Sequence, residues 1–430
     1  MKRNMLTVFC AMLFALFVVT ASDVSAATKE NAWDSGKVET EVKGAFTFYS
    51  HPSKDGKEAW IYKIGVKEGK KSKSLSIPKN IRGKKVTRLG IPDDPKSESC
   101  VTLFGGYIEP WHDVDGNFGN KAMLIQSIKI PDTVEVIEAS SFSGLDSVKT
   151  IKLPKKVKEI GDYTFYGCNS LKTIILPDNL KKIDNSSLWD CPSLKNIKIS
   201  QKNKTFQVKG NCLLRKKDKA LICAVAVGKD FVIPDGTKKI VPFAFNNATS
   251  PTIHIPSSVT KIEQAAFEKQ PLRQNINIKD VTVSTENPVF ARDGQCIYKK
   301  SDKSLAVAIP DEKGELRISD MVEKLTPEMS MVNCDTAELD SLEKLVYPKN
   351  LKYVTVPGFS RIKAKNVYFT GSVPAEVKKP KSATGFAKLP IFCHVYVPEA
   401  YTDVYKAWYK QNKCYSSVNG WHTYNPKTGL

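Results

Sequence analysis

The side chains able to do chemistry are thinly spread along this chain. Its five histidines, His51, His112, His254, His394 and His422, are far apart in sequence. Cys393 and His394 are neighbours, which on a strand sends their side chains to opposite faces. Ser258-Val259-Thr260-Lys261 has the Ser-x-x-Lys spacing of a lysine-activated serine, and Lys427-Thr428-Gly429 matches a second element of such acyl-transfer sites. In a chain with 65 lysines and arginines such short matches arise by chance. Ser258 to Lys261 is also a repeat position, equivalent to Lys155 to Lys158. Asp113-Val114-Asp115-Gly116-Asn117 has the first half of a calcium loop but lacks its closing glutamate, and it reads as a polar turn. There is no His-Glu-x-x-His, no Cys-x-x-Cys and no phosphate loop. With no nucleophile–base pair to name, neither an enzymatic reaction nor a cofactor is expected.

The chemistry left is recognition. Lysines recur at a fixed step of 23 residues, in one column as Lys129, Lys152, Ile175 and Lys198, and in another as Gln126, Lys149, Lys172 and Lys195. A polar column of Ser127, Thr150, Thr173 and Asn196 lies between them. Like charges stacked at strand spacing repel, and an anionic ligand relieves the repulsion. The bland counterpart is that outward lysines solubilise a sheet and keep it from associating. Tyr166 and Trp189 share the same step, where other units carry Ser143, Asn246 and Glu268. Such rings either stack on a partner or shield the edge of the core. Trp111, in an irregular stretch, is a further aromatic contact candidate.

These columns exist because the chain repeats. Ile128-Lys129-Ile130-Pro131 returns as Ile151-Lys152-Leu153-Pro154 and as Ile174-Ile175-Leu176-Pro177. Val134, Val157 and Leu180 keep the step, as do Ile137, Ile160 and Ile183, and then Phe142, Phe165 and Leu188. Two more units start at Ile233-Pro234 and Ile255-Pro256 with a step of 22. Each unit opens with the alternation of a short strand and stops at proline. A second short extended piece follows, and then a tight segment such as Phe165 to Leu171 that reads as one helical turn. A period of ~20–29 residues with apolar anchors means a solenoid of stacked parallel strands. Two different elements interrupt it. Asn203, Phe206, Gly210, Cys212, Asp218 and Leu221 recur 84 residues later as Asn287, Phe290, Gly294, Cys296, Asp302 and Leu305, a pattern that predicts β-hairpins inserted near 203–223 and 287–307.

Residues 1–27 read as a secretory signal peptide, with Lys2 and Arg3 ahead of an apolar run and small residues near Ala26. No later stretch approaches the ~18 apolar residues of a membrane span. Without residues 1–27 the chain holds 63 basic and 44 acidic residues, a net charge of +19. That excess favours polyanions and opposes self-association. The expected location is outside the cytoplasm: secreted, cell-surface or periplasmic. Export argues against nucleic acid as a partner. Nine cysteines remain after Cys10, and those in the repeats alternate with Leu145 or Val307 at equivalent positions, so they read as buried thiols. A Cys212–Cys223 or Cys168–Cys191 bridge stays open, since adjacent strands approach bonding range.

The pattern Ile-x-Leu-Pro-x-x-Val-x-x-Ile-Gly-x-x-x-Phe-x-x-Cys-x-x-Leu, from Ile151 to Leu171, resembles the BspA-type leucine-rich repeat. The ending with Tyr396, Val397, Pro398, Tyr405, Lys406 and Trp408 is similar to the terminal segment of Bacteroidetes members of that family. The resemblance covers residues 45–410, with departures at 92–120 and 320–345. It implies an exported or surface protein of a host-associated bacterium, some relatives being adhesins for matrix proteins, and it carries no catalytic residues. The expected fold is an α/β repeat: a leucine-rich-repeat solenoid of short parallel strands in 22–23-residue units, with inserted β-hairpins and capping ends. The expected layout is a signal peptide at 1–27 and an N-terminal cap, degenerate first repeat and irregular insertion at 28–120. The solenoid takes 121–345, and C-terminal repeats and a cap take 346–430. The expected function is recognition of an extracellular or surface protein through the open sheet face, or alternatively of an acidic glycan or other polyanion, or a scaffold role in a surface complex.

Overall fold

A computed structural model describes residues 37–67, 70, 72–90, 100–101, 103, 107–108, 124–225, 228–268, 278–332, 342–355, 362–378, 393–412, 418 and 420–426. Residues 1–27, expected to be a signal peptide, and Trp111 lie outside the described residues. The fold is of leucine-rich-repeat type, with many short parallel strands and few helices.

Two columns of parallel strands run along the chain. The first holds the strand that opens each unit. Thr150–Lys152, Thr173–Leu176 and Asn196–Ile199 form one ladder, in which Ile151 pairs Ile174 and Ile174 pairs Ile197. Asp230–Val232, Thr252–Ile255 and Asp280–Val283 form the next. Glu315–Arg317, Leu342–Tyr347, Ala364–Phe369, His394–Pro398 and Gly420–Tyr424 form a five-stranded parallel sheet at the C-terminal end. The second column holds two-residue strands, among them Val136–Ile137, Glu159–Ile160 and Lys182–Ile183. In both columns alternate residues turn inward, so isoleucine sits on isoleucine from unit to unit. Phe142 stacks on Phe165 at 6.0 Å, and Phe245 on Phe267 at 5.0 Å.

Among the described residues the turn side holds no α-helix and a single 3-10 turn, which corrects the α/β expectation. Ser140, Tyr163, Phe243 and Ala265 have φ between 52° and 59°, and each stands at the same point of its unit. A left-handed residue there ends any right-handed turn before it can propagate. The unit at Asn185–Leu188 makes a single 3-10 turn instead, capped by the Asp184 carboxylate accepting from the Ser186 backbone N–H. Among the described residues the one α-helix is Thr402–Gln411. Its Tyr405 ring packs on Phe369 at 5.0 Å and covers the apolar end of the C-terminal sheet.

Three antiparallel meanders enter the stack in one way. Glu39–Lys43, Phe46–Pro52 and Glu58–Val66 form the first, and the third strand then pairs in parallel with Lys84–Leu89 of the second column. Phe206–Lys209, Cys212–Arg215 and Ala220–Ala224 repeat the device, ending against Lys239–Ile240. Phe290–Asp293, Cys296–Lys299 and Leu305–Ala308 do so again, ending against Ser330–Met331. The meanders are therefore rungs of the solenoid, not excursions from it. The second and third strands of the last one are buried on both faces: Ile297 and Val307 join the core that runs back to Phe46, while Cys296, Tyr298, Leu305 and Ala308 join the core that runs on to Tyr405.

A buried amide fixes each inserted meander to the unit before it. Asn203 Nδ2 donates to the carbonyls of Pro177, Asp178 and Leu180 at 3.2, 2.9 and 3.1 Å. Its Oδ1 accepts from the backbone N–H of Thr205 and Phe206 at 2.8 and 2.7 Å. Asn287 repeats the arrangement with Pro256, Val259, Val289 and Phe290. Removing such an amide strands several backbone groups away from water, at ~1–3 kcal/mol for each group left unpaired. Asn203→Ala is expected to destabilise the fold by at least about 2 kcal/mol in urea titration. Asn169→Ala, which removes one exposed bond to Asp146, is expected to cost less than about 1 kcal/mol.

Candidate functional site

The strand ladder at residues 149–198 sets the open face. Backbone N–H groups of Lys172 and Lys195 donate to the carbonyls of Lys149 and Lys172 at 2.8 and 3.0 Å, which lines the three lysines up. Thr150, Thr173 and Asn196 are register partners, and so are Lys152, Ile175 and Lys198. Lys149, Lys152, Lys172, Lys195 and Lys198 are exposed, and Ile175 is half-buried between Lys152 and Lys198. Lys129 is exposed too, but it belongs to the strand Ser127–Lys129, whose ladder partner is Ser74–Ser76, where it faces Ser76. The column expected to begin at Lys129 thus begins, as a hydrogen-bonded ladder, at Lys152.

Charge pairing varies along both columns, and on the first Lys365 meets Glu343 and Asp280 meets Arg292. On the second, Lys158 meets Glu135 at 2.7 Å, Arg88 meets Glu138 at 2.9 Å, Lys239 meets Glu263 at 2.8 Å and Lys352 meets Glu323 at 2.6 Å. The Lys158 ammonium beside Glu135 holds its carboxyl below the usual range, outweighing the opposing effect of burial. On the open face, no ion pair among the described residues reaches Lys149, Lys152, Lys172, Lys195 or Lys198. The lysine strip thins beyond residue 198. In the next ladder the Lys152 column continues as Val232, His254 and Thr282 and the Thr150 column as Asp230, Thr252 and Asp280, while the Lys149 column keeps exposed lysines at Lys229 and Lys279 on either side of Pro251. His254 Nδ1 lies 2.6 Å from Thr282 Oγ1 on that surface.

Trp189 is not a free aromatic surface. It is 8% exposed and packs on Phe243 at 4.6 Å and Tyr163 at 5.5 Å. Tyr166 is half-buried, edge-on to Tyr163 at 5.8 Å. The cause is the meander at 206–224. It occupies rungs in the second column while the turn side closes directly over it, so that the 243–247 turn lands on the 188–191 turn. Asn247 seals the contact, donating to the Leu188 carbonyl at 2.7 Å and accepting from the Cys191 N–H at 2.9 Å. Of the two readings the sequence offered for these rings, the shielding of the core is the one seen.

Sequence spacing missed a cluster on the C-terminal open face. Tyr368, Tyr396 and His422 are register partners on three adjacent strands, stacked at 4.2 and 4.7 Å. Lys344 Nζ sits 5.1 Å from the Tyr368 ring centre, and His394 Nδ1 lies 3.0 Å from His422 Nε2. Here the step is 28 and then 26 residues, so alignment at 23 does not find it. The alternation Val367-Tyr368-Phe369 and Val395-Tyr396-Val397 was the available signal.

The thiols of Cys168, Cys191, Cys212, Cys223, Cys296 and Cys393 are buried and free. Cys168 and Cys191 share a column, and each S–H donates to a carbonyl, of Phe142 at 3.3 Å and of Phe165 at 3.2 Å. Cys212 faces Ala224 and Leu213 faces Cys223, because a bulge at Leu213/Leu214 shifts the register; the two cysteines are not direct partners. Burial pushes the Cys168 thiol up to about 12, and those of Cys223, Cys296 and Cys393 up to about 11. Among the described residues no group of three or more histidine, cysteine or carboxylate side chains gathers to hold a metal. No described helix is long and apolar enough to cross a membrane.

The class of protein is thus a leucine-rich-repeat stack with a solvent-facing parallel sheet. More specifically, the chain carries BspA-type leucine-rich repeats: the BspA type Leucine rich repeat region matches residues 115–213 and 227–301, in six copies. Among solved structures it is similar to the pneumococcal vaccine antigen PcpA, with 16% identity over 90% of this chain and 99% of that one and a TM-score of 0.40. A leucine rich cell surface protein from Faecalibacterium prausnitzii gives 14%, 92% and 97%, with a TM-score of 0.37. A leucine-rich repeat protein from Bacteroides ovatus gives 14%, 90% and 100%, with a TM-score of 0.31. No curated protein matches the sequence significantly.

Thiolate, not thiol, is the nucleophile, and burial disfavours it at these six positions. In the native protein at pH 8, none of the six is expected to react with iodoacetamide, and all are expected to react after denaturation. Peptide mapping by mass spectrometry reads this directly. Native labelling of Cys168 or Cys191 would contradict the burial.

Proposed function

We propose that this protein is an exported binding protein that recognises an anionic extracellular or surface macromolecule, an acidic protein or an acidic glycan, through its open sheet face. Its 22–23-residue units and inserted meanders serve to hold that face rigid. The supporting observation is the contrast in charge pairing. Lys158 and Lys239 of the second column and Lys365 of the C-terminal sheet each sit on a carboxylate one rung away, whereas the lysines of the ladder at 149–198 stand in register without one among the described residues. Rungs of a parallel sheet lie ~4.8 Å apart. A row of ammonium groups at that pitch repels itself, and a polyanion laid along it gains the whole row at once. Because the backbone is already ordered, little conformational entropy is lost on binding. The reading as an adhesin and the reading as a polyanion receptor share this face. Binding that falls steeply with ionic strength marks the second, while a contact centred on buried apolar anchors persists.

The test is binding of the chain without residues 1–27 to arrayed matrix proteins and acidic glycans, at low and moderate salt. Beside it goes the variant Lys149→Glu, Lys152→Glu, Lys172→Glu, Lys195→Glu. The variant is expected to keep the fold and to bind with an association rate about tenfold lower or worse. A control with Lys158→Glu and Lys239→Glu is expected to bind as the parent does. Equal binding by parent and ladder variant would remove the open-face lysines as the site.

A further inference from the structure

We propose that His394 and His422 form a two-imidazole site for a late first-row divalent cation, copper(II), nickel(II) or zinc(II), on the open face of the C-terminal sheet. The two residues lie on adjacent parallel strands, His394–Pro398 and Gly420–Tyr424, paired through the ladder His394 to Gly420 and Tyr396 to His422. Backbone hydrogen bonds therefore set their separation. His394 Nδ1 and His422 Nε2 are 3.0 Å apart. Two nitrogens held ~2.0–2.1 Å from one ion, at angles between square and tetrahedral, stand ~2.9–3.4 Å apart. The pair already has that bite, and a small rotation of each ring aims both lone pairs at a common point.

Two neighbours make this a held arrangement and not a chance approach. Tyr396 lies flat against His422, with ring centres 4.7 Å apart and planes within 21°, and Tyr368 supports Tyr396 from behind at 4.2 Å. This stack restricts the His422 ring. Gly420 supplies the space. Its φ lies outside the left-handed region, so the backbone does not require glycine here. A Cβ at that position would lie 3.0 Å from His422 Nε2 and 3.4 Å from His394 Nδ1, filling the gap between the nitrogens. The neighbouring Cys393 is fully buried and points to the core, so the donor set is imidazole alone. Neutral imidazole suits copper(II), nickel(II) and zinc(II) over magnesium or calcium, which take oxygen. Among the described residues no third histidine, cysteine or carboxylate joins the pair. The remaining positions on the ion are open to water or to a donor from a bound partner. The proton between the two nitrogens moves to the far nitrogen of its own ring, so that both neutral imidazoles present a lone pair to the ion.

The test is calorimetric titration of the tag-free chain with copper(II), nickel(II) and zinc(II) chloride, together with copper(II) electron paramagnetic resonance. One saturable site is expected, with hyperfine structure from two nitrogens. His394→Ala and His422→Ala are each expected to weaken binding at least as much as the ~10–100-fold caused by losing a ligand's support. Gly420→Ala keeps both histidines and fills the gap, and it is expected to weaken binding comparably. His254→Ala is the control and is expected to bind as the parent does. Thermal melts without metal show that each variant is folded. Saturable binding that survives the double histidine variant would overturn the proposal. So would the absence of any binding tighter than about 1 mM.

Discussion

Everything in this molecule depends on registry between rungs. A 23-residue unit is too small to bury its own apolar face, so Ile151 is buried only because Ile174 lies on one side of it, as Ile174 is by Ile197. The same holds for Phe142 on Phe165 and for Phe245 on Phe267. In a parallel ladder the side-chain period is two, so a slip of one residue would turn the isoleucines outward and the lysines inward. The register that builds the core is therefore the register that lines up the surface. The lysine row is a by-product of packing, available for use.

Where the chain departs from the regular unit, it keeps registry by other means. Asn203 and Asn287 satisfy the backbone at the entrance to each inserted meander, and the third strand of each meander takes a normal place in the second column. The meander at 290–308 goes furthest, since its second and third strands are apolar on both faces and join two cores. Such a seam lets a second, differently spaced sheet continue the stack. That change of spacing brings Tyr368, Tyr396 and His422 together, whereas the earlier units bring lysines together. One fold thus presents two chemically distinct stretches of open face.

The candidate site was partly legible in the sequence. The lysine ladder was, because exposure on a strand follows from alternation and stacking follows from a constant step. The aromatic pair was legible only as a choice. Trp189 is covered by Phe243, which lies 54 residues further along, and no local pattern says that the turn side closes over a meander. The histidine pair was hidden for the same reason, since its partners are joined by steps of 28 and 26 residues. A helical turn was expected from Phe165 to Leu171, and a left-handed residue, Tyr163, stands just before it. Ser140, Tyr163, Phe243 and Ala265 do not look like helix breakers, and only the backbone shows what they do.

By itself the sequence determined the repeat, the inward and outward faces of each strand, the apolar setting of the cysteines in the stack, and the excess of positive charge. Each of these follows from periodicity or composition, which are local properties of the chain. Tertiary structure decided what depends on distant segments meeting. It decided which lysines find a carboxylate, which rings are covered, where Lys129 stands relative to the ladder, and that His394 meets His422. The physical reason is that contact between rungs is set by stacking order. Stacking order is interrupted by meanders whose lengths the local pattern does not record.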